Sequence, residues 1–155
     1  MSHLRNVEVE ISWIEPQSTR DLHLPAYETS GSAGMDIEAA IQSELIIEPG
    51  QIVLIPTGFA VAIPAGYEFQ IRPRSGLAVK HGLTIINSPG TIDSDYRGEV
   101  KIGLVHLGKE PFRLKRGDRV GQMILAPVVT AKWKNVESLD ETKRGSGGFG
   151  HTGLR

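Results

Sequence analysis

The sequence predicts an all-β fold, a jelly roll, β-sandwich or barrel, with one short helix. Three observations carry this. The 18 glycines and 9 prolines do not gather into linkers but recur as turn punctuation. The segments between them are short and rich in β-branched and aromatic residues, with period-two alternation. One run, Ile52 to Ile55, is continuously apolar, as in a strand covered on both faces.

The elements come in order along the chain. Val7, Val9 and Ile11 alternate with Glu8 and Glu10, the pattern of a half-buried strand. Pro49-Gly50, Pro56-Thr57-Gly58 and Pro64-Ala65-Gly66 then bracket the Ile52–Ile55 strand and the segment after it. Tyr67, Phe69 and Ile71 alternate with Glu68, Gln70 and Arg72. Pro73 closes that strand. Ser75 is expected to cap a short helix running through Leu77, Ala78, Val79 and Lys80, with Gly82 as its stop. Ser88-Pro89-Gly90 and Arg97-Gly98 mark further turns, and Val100, Ile102 and Leu104 alternate again. Leu107-Gly108 and Arg116-Gly117-Asp118 punctuate the rest. Ser138 and Glu141 have capping-box spacing, but no apolar run comes after them, so residues 138–144 read as a hinge. The expected organisation is a β domain over 1–137 and a hinge with a glycine-rich arm over 138–155.

Composition narrows the function. Lys and Arg number 17 against 18 Asp and Glu, which argues against nucleic acid or an anionic membrane surface as partner. The absence of cysteine removes thiolate chemistry and disulfides. No apolar run approaches membrane-spanning length, and Met1–Glu8 lacks the apolar stretch of a signal peptide. A cytoplasmic protein is expected. The five histidines are scattered without ligand spacing, so a protein-built zinc site is not expected.

Five segments carry chemistry. Ala33-Gly34-Met35-Asp36-Ile37 sets a carboxylate beside a glycine. In Arg72-Pro73-Arg74-Ser75-Gly76-Leu77, a guanidinium, a hydroxyl and a glycine amide could meet one phosphate. The loop Asn87 to Val100 holds an amide, two carboxylates, a phenol and a guanidinium. If that loop were extended, Asp93 and Asp95 would share a face, one orienting a water while an arginine held the other. Gly117-Asp118-Arg119-Val120-Gly121-Gln122 is a turn into a strand. Finally, Arg144-Gly145-Ser146-Gly147-Gly148-Phe149-Gly150-His151-Thr152-Gly153 is a loose tail with one guanidinium, two hydroxyls and a phenyl ring. Glycine amides can wrap an anion, arginine forks phosphate oxygens, and phenylalanine offers a face to a base. The tail reads as a lid for a nucleotide.

In this order the five segments resemble the motifs of the homotrimeric dUTP pyrophosphatase (dUTPase) family, from Ala33 to Gly153. The most specific pieces are Pro73–Leu77, Gly90–Gly98 and Arg144–Gly150. The resemblance implies a distorted jelly roll assembled as a trimer. Each site would draw on three subunits, the tail closing over a neighbour. It implies hydrolysis of dUTP to dUMP and pyrophosphate by a water attacking the α-phosphorus. Mg2+ would be held through the triphosphate and water, not by a protein cluster.

Carried over by position, the resemblance makes Asp93 the residue that holds and activates the water. Tyr96 would lie under the deoxyribose and exclude a 2′-hydroxyl. Asn87 and the backbone through Gly90, Thr91 and Ile92 toward Lys101 would read uracil. Uracil offers an N3–H donor and an O4 acceptor, cytosine the reverse, so a fixed backbone pair tells them apart. Arg74, Ser75, Gly76 and Gln122 would hold the phosphate chain. Arg144 and Ser146 would clamp its end, and Phe149 with Gly150 would cover the base. Asp36 would orient an arginine, with Asp95 in a supporting role. His151 stands where a small hydroxyl residue is frequent in the family and is expected to face solvent.

Two other readings stay open at this stage. The dCTP deaminase branch shares the fold and needs an acid/base near the cytosine C4. Glu99 is the nearby candidate, and ammonia release from dCTP would reveal it. A non-catalytic nucleotide-binding module would bind without releasing pyrophosphate.

Overall fold

The computed structural model describes residues 6–148. They form eleven strands and one helix. In chain order these are β1 (Glu10–Trp13), β2 (Met35–Glu38), β3 (Leu45–Ile47), β4 (Ile52–Pro56), β5 (Phe59–Ala62) and β6 (Tyr67–Arg72). Helix α1 (Ser75–His81) comes next, then β7 (Leu83–Ile85), β8 (Gly90–Ile92), β9 (Lys101–His106), β10 (Phe112–Leu114) and β11 (Arg119–Pro127). The strands pair antiparallel in four small sheets, ordered β1-β5, β10-β3, β2-β11-β6-β8 and β4-β9-β7.

The alternating patterns do what a half-buried strand requires. Phe69 and Ile71 of β6 are buried while their neighbours are not, and Ile102 and Leu104 of β9 repeat the pattern. Their inward faces meet in one apolar cluster with Ile37, Ile47, Ile55, Phe59, Leu83, Ile85, Leu114, Val120 and Met123. Burial of this apolar area is the main force holding the sheets together.

Two expectations need correction. Ile52 and Leu54 on β4 are 60% and 64% exposed, so this strand is covered on one face only within the single chain. A continuous apolar run cannot say whether the second cover comes from the same chain. Ser75 does not cap α1. Arg74 occupies that position with extended backbone (φ −89°, ψ 127°) and makes no side-chain cap bond. The Ser75 hydroxyl is thereby left outside the helix's own hydrogen bonding. Gly82 does end the helix, in the left-handed region at φ 70°. A Cβ there would lie 2.3 Å from the Gly108 nitrogen, so glycine is required twice over, by dihedral and by space.

Outside the core, Arg116 ties the N-terminal loop to the body. Its Nε lies 2.8 Å from Asp21, and it also donates to the carbonyls of Ser18 and Ile41. The hydrogen bond from Arg116 holds the Asp21 carboxyl below the usual carboxylate range. A carboxyl depressed in the folded state stabilises the fold above its unfolded pKa, and the contribution is lost as pH falls through the folded value. Asp21→Asn is therefore expected to lower the melting temperature at neutral pH and to make no difference in acid that protonates Asp21. Equal melting temperatures at neutral pH would mean that solvent screens this exposed pair out.

After β11 the chain leaves the sheets. Val128 N–H donates to the Gly66 carbonyl (2.8 Å), and residues 128–148 contain no helix or strand. The expected hinge over 138–144 falls in this stretch.

Candidate active site

Strand register builds the first part of the site. Central strand β11 places Gln122 opposite Asp36 of β2 on one side and opposite Arg72 of β6 on the other. Strand β6 runs out through Pro73 to Arg74, so the first, second and fourth segments meet at one end of one sheet. Asp36, Arg74, Ser75, Gly76 and Gln122 line a common cleft of about 380 Å³. Asp36 uses both oxygens there. One accepts from Arg74 Nε at 3.0 Å and the other from Arg119 Nη1 at 3.1 Å. The expected arginine-orienting role of Asp36 thus has two partners within the described residues, neither of them in the tail. The hydrogen bond that Arg119 donates to Asp36, with the charge of Glu28 adding to it, pushes the Arg119 guanidinium above its ordinary value.

Gln122 donates through Nε2 to the Pro73 carbonyl (3.0 Å), which fixes the turn into α1. Gly34 makes room for it, since a Cβ there would sit 2.5 Å from the Gln122 Oε1. Lys80 and His81 also line this cleft, and sequence reasoning missed both. The signal was available for Lys80, which lies one helical turn beyond Gly76.

The third segment folds separately. Asn87, Gly90, Thr91, Ile92, Asp93, Tyr96 and Lys101 line a second cleft of about 250 Å³, together with Glu99. It shares no lining residue with the first cleft. Strand β8 is the outer strand of its sheet, bonded to β6 alone among the described strands. The backbone groups on its other edge are therefore not spent on a ladder. Gly90 permits a close approach, as a Cβ would lie 3.2 Å from the Ile71 Cβ.

Asp93 and Asp95 do not share a face. Tyr96 N–H donates to the Asp93 carbonyl (3.1 Å), so these residues form a turn, and the two-residue repeat of a strand does not apply. Asp93 lines the cleft and Asp95 does not. Nor does Arg97 hold Asp95: its Nη1 donates to the carbonyls of Ser94 and Tyr96. The Tyr96 hydroxyl donates to the Glu99 carbonyl at 3.0 Å.

Both carboxylate oxygens of Glu99 have a partner. One carboxylate oxygen accepts the Gly58 N–H at 2.9 Å, and the other lies 3.5 Å from Lys101 Nζ. In the tail, Arg144 Nε donates to the Gly147 carbonyl (2.8 Å), and Ser146 lies in the same exposed turn. Phe149, Gly150 and His151 lie outside the described residues.

The order of these segments and their gathering into two clefts agree with a family match. The family described as dUTPase matches residues 20–153. The chain belongs to the dUTPase family. Among its relatives is the deoxyuridine 5′-triphosphate nucleotidohydrolase of Desulfotalea psychrophila, 60% identical over 147 residues, covering 95% of this chain and 98% of the relative. The protein of the same name from Wolbachia sp. subsp. Brugia malayi is 48% identical over 155 residues, covering 99% of each. Among solved structures, the Staphylococcus bacteriophage 80alpha dUTPase with dUPNHPP superposes at TM-score 0.80 with 26% identity, covering 96% of this chain and 100% of that one. The jelly-roll-like β fold expected of a dUTPase is therefore the fold of this chain.

Proposed function

We propose that this dUTPase-family chain hydrolyses dUTP to dUMP and pyrophosphate, limiting uracil in DNA and supplying dUMP. The carrying observation is the second cleft, beside the Asp93–Tyr96 turn, which gathers Asn87, Asp93, Tyr96 and Lys101 near the unspent backbone edge of β8. A flat base lying along that edge would meet fixed N–H and C=O groups. Mispaired buried polar groups cost about 1–3 kcal/mol each, enough to separate uracil from cytosine. Tyr96, held to the Glu99 backbone, would sit against the sugar. Asp93, exposed at the cleft, would take the proton of the attacking water.

The phosphate chain belongs with Arg74, Ser75, Gly76 and Gln122. Arg74 is set for this by Asp36 on Nε, while its Nη1 donates to the Arg119 carbonyl at 3.4 Å, so among the described residues Nη2 is left to meet phosphate oxygens. Arg144 and Ser146 would clamp the chain's end, and Phe149 with Gly150 would cover the base. Among the described residues no three acidic or histidine side chains gather as a metal cage. On this reading a magnesium ion would come in on the triphosphate, with phosphate oxygens and water as ligands. When bound, Mg2+ would neutralise charge on the departing pyrophosphate.

A homotrimer belongs to the same reading. The two clefts share no residue, so one nucleotide could engage the second cleft of one copy and the phosphate cleft of another. Exposed Ile52 and Leu54, and Val129, Trp133 and Leu139 of the departing chain, give such copies apolar surface to bury. A triphosphate does not cross lipid unaided, which favours action in the cytoplasm.

The test is pyrophosphate release from dUTP, dTTP, dCTP and UTP, each with and without magnesium. Release from dUTP alone, dependent on magnesium, is expected. Ammonia from dCTP would move the chain to the deaminase branch, and tight binding without pyrophosphate would make it a sensor.

A further inference from the structure

Glu99 lies between the Asp93–Tyr96 turn and β9, and its side chain forms part of the wall between two clefts. One is the second cleft, which holds Asp93. The other, about 220 Å³, is lined by Ile14, Glu15, Thr19, Gly58 and Arg116 among others. The carboxylate is bonded across this wall. It accepts the Gly58 N–H at 2.9 Å on one side and faces Lys101 Nζ at 3.5 Å on the other. The backbone beside it is fastened to the same β4–β5 turn. The Thr57 hydroxyl donates to the Val100 carbonyl (2.6 Å), and Val100 N–H donates to the Phe59 carbonyl (2.9 Å). Tyr96 depends on that backbone, because its hydroxyl donates to the Glu99 carbonyl. The fit is close, since a Cβ at Gly98 would lie 2.4 Å from the tyrosine oxygen.

We infer that Glu99 is a positioning residue for sugar selection, acting through Tyr96 by anchoring the 93–99 loop to the turn at Gly58. The inference rests on the reading of the second cleft as the deoxyuridine site. A ring can exclude a 2′-hydroxyl only if it cannot retreat by the width of one oxygen. The Gly58–Glu99 bond holds the backbone to which that ring is hydrogen-bonded. Loss of the carboxylate leaves the Gly58 N–H, partly buried, without its acceptor and lets the Arg97–Glu99 segment shift. Tyr96 N–H also donates to the Asp93 carbonyl (3.1 Å), but the partners of the Glu99 carboxylate are Gly58 and Lys101 and not the Asp93 side chain, so the larger defect belongs in binding and selectivity rather than in the chemical step.

The experiment measures kcat and KM for dUTP and for UTP with Glu99→Ala, Glu99→Asp and Glu99→Gln. Alanine removes the acceptor. Aspartate is one methylene too short to span from Gly58 to Lys101. Glutamine keeps an oxygen for the Gly58 N–H but loses the charge facing Lys101. The alanine and aspartate variants are expected to lose about tenfold or more of the dUTP-over-UTP preference through KM, with kcat on saturating dUTP little changed. Glutamine is expected to restore the preference. Parent-like selectivity in the folded alanine variant, or in the aspartate variant should alanine fail to fold, overturns the inference. A glutamine variant as unselective as alanine also overturns it, because the Gly58 bond would then not be the anchor. A parent chain that hydrolyses UTP as readily as dUTP would instead sink the reading of the second cleft itself.

Discussion

Asp93→Asn is expected to bind dUTP nearly as well as the parent while turning it over about 10²–10⁴-fold more slowly, the range of a lost general base. Asparagine matches aspartate in size and keeps one acceptor oxygen, so the cleft wall is preserved. What it loses is the ability to accept a proton from water. The geometry suits this role, because Asp93 is exposed at the second cleft and makes no ion pair among the described residues. Asp95→Asn is the control. That side chain lies outside the cleft, so only a small change in kcat is expected. Single-turnover kinetics with an independent binding measurement decide the matter. If Asp93→Asn turns over at the parent rate, water activation resides elsewhere.

A chain ending at Lys143 is expected to keep its melting temperature and lose about 10²-fold or more in kcat/KM, the scale of a missing transition-state donor. Stability should be indifferent because the hydrogen bonds of the described tail are local. Arg144 bonds to Gly147, and Gly145 N–H bonds to Thr142. Every residue of the core cluster lies before the tail, Met123 being the last of its buried members. Activity should suffer because Arg144 and Ser146 would clamp the terminal phosphate and Phe149 would stack over the base. Thermal melting and steady-state kinetics on the same preparation separate the two effects. A large drop in melting temperature would mean that the tail is structural rather than a lid.

Particular residues show how far a linear reading reaches. Phe69 and Ile71, or Ile102 and Leu104, were legible because alternation in a strand is local. Gly82 was legible because a helix stop is local too. Ser75 was misplaced by one position, since a cap depends on where the preceding strand releases the chain, and Arg74 takes that place. Asp93 and Asp95 were expected to share a face because two-residue spacing assumes an extended chain, and the Asp93–Tyr96 turn removes that premise. Arg119 was in plain view in the fourth segment. Its pairing with Asp36 became visible only through the register of β11 on β2.

The strand-rich architecture, the turn positions, the chemical inventory of the five segments and the family they resemble were all determined by the sequence itself. Each depends on residue type and spacing along the chain. The tertiary structure decided which groups face one another: Arg74 and Arg119 on Asp36, Asp93 but not Asp95 at the second cleft, Glu99 bound to Gly58. Those pairings are set by strand register and by closure of loops across scores of residues. Neither leaves a signature in local periodicity, because the energy that selects them comes from packing the whole core at once.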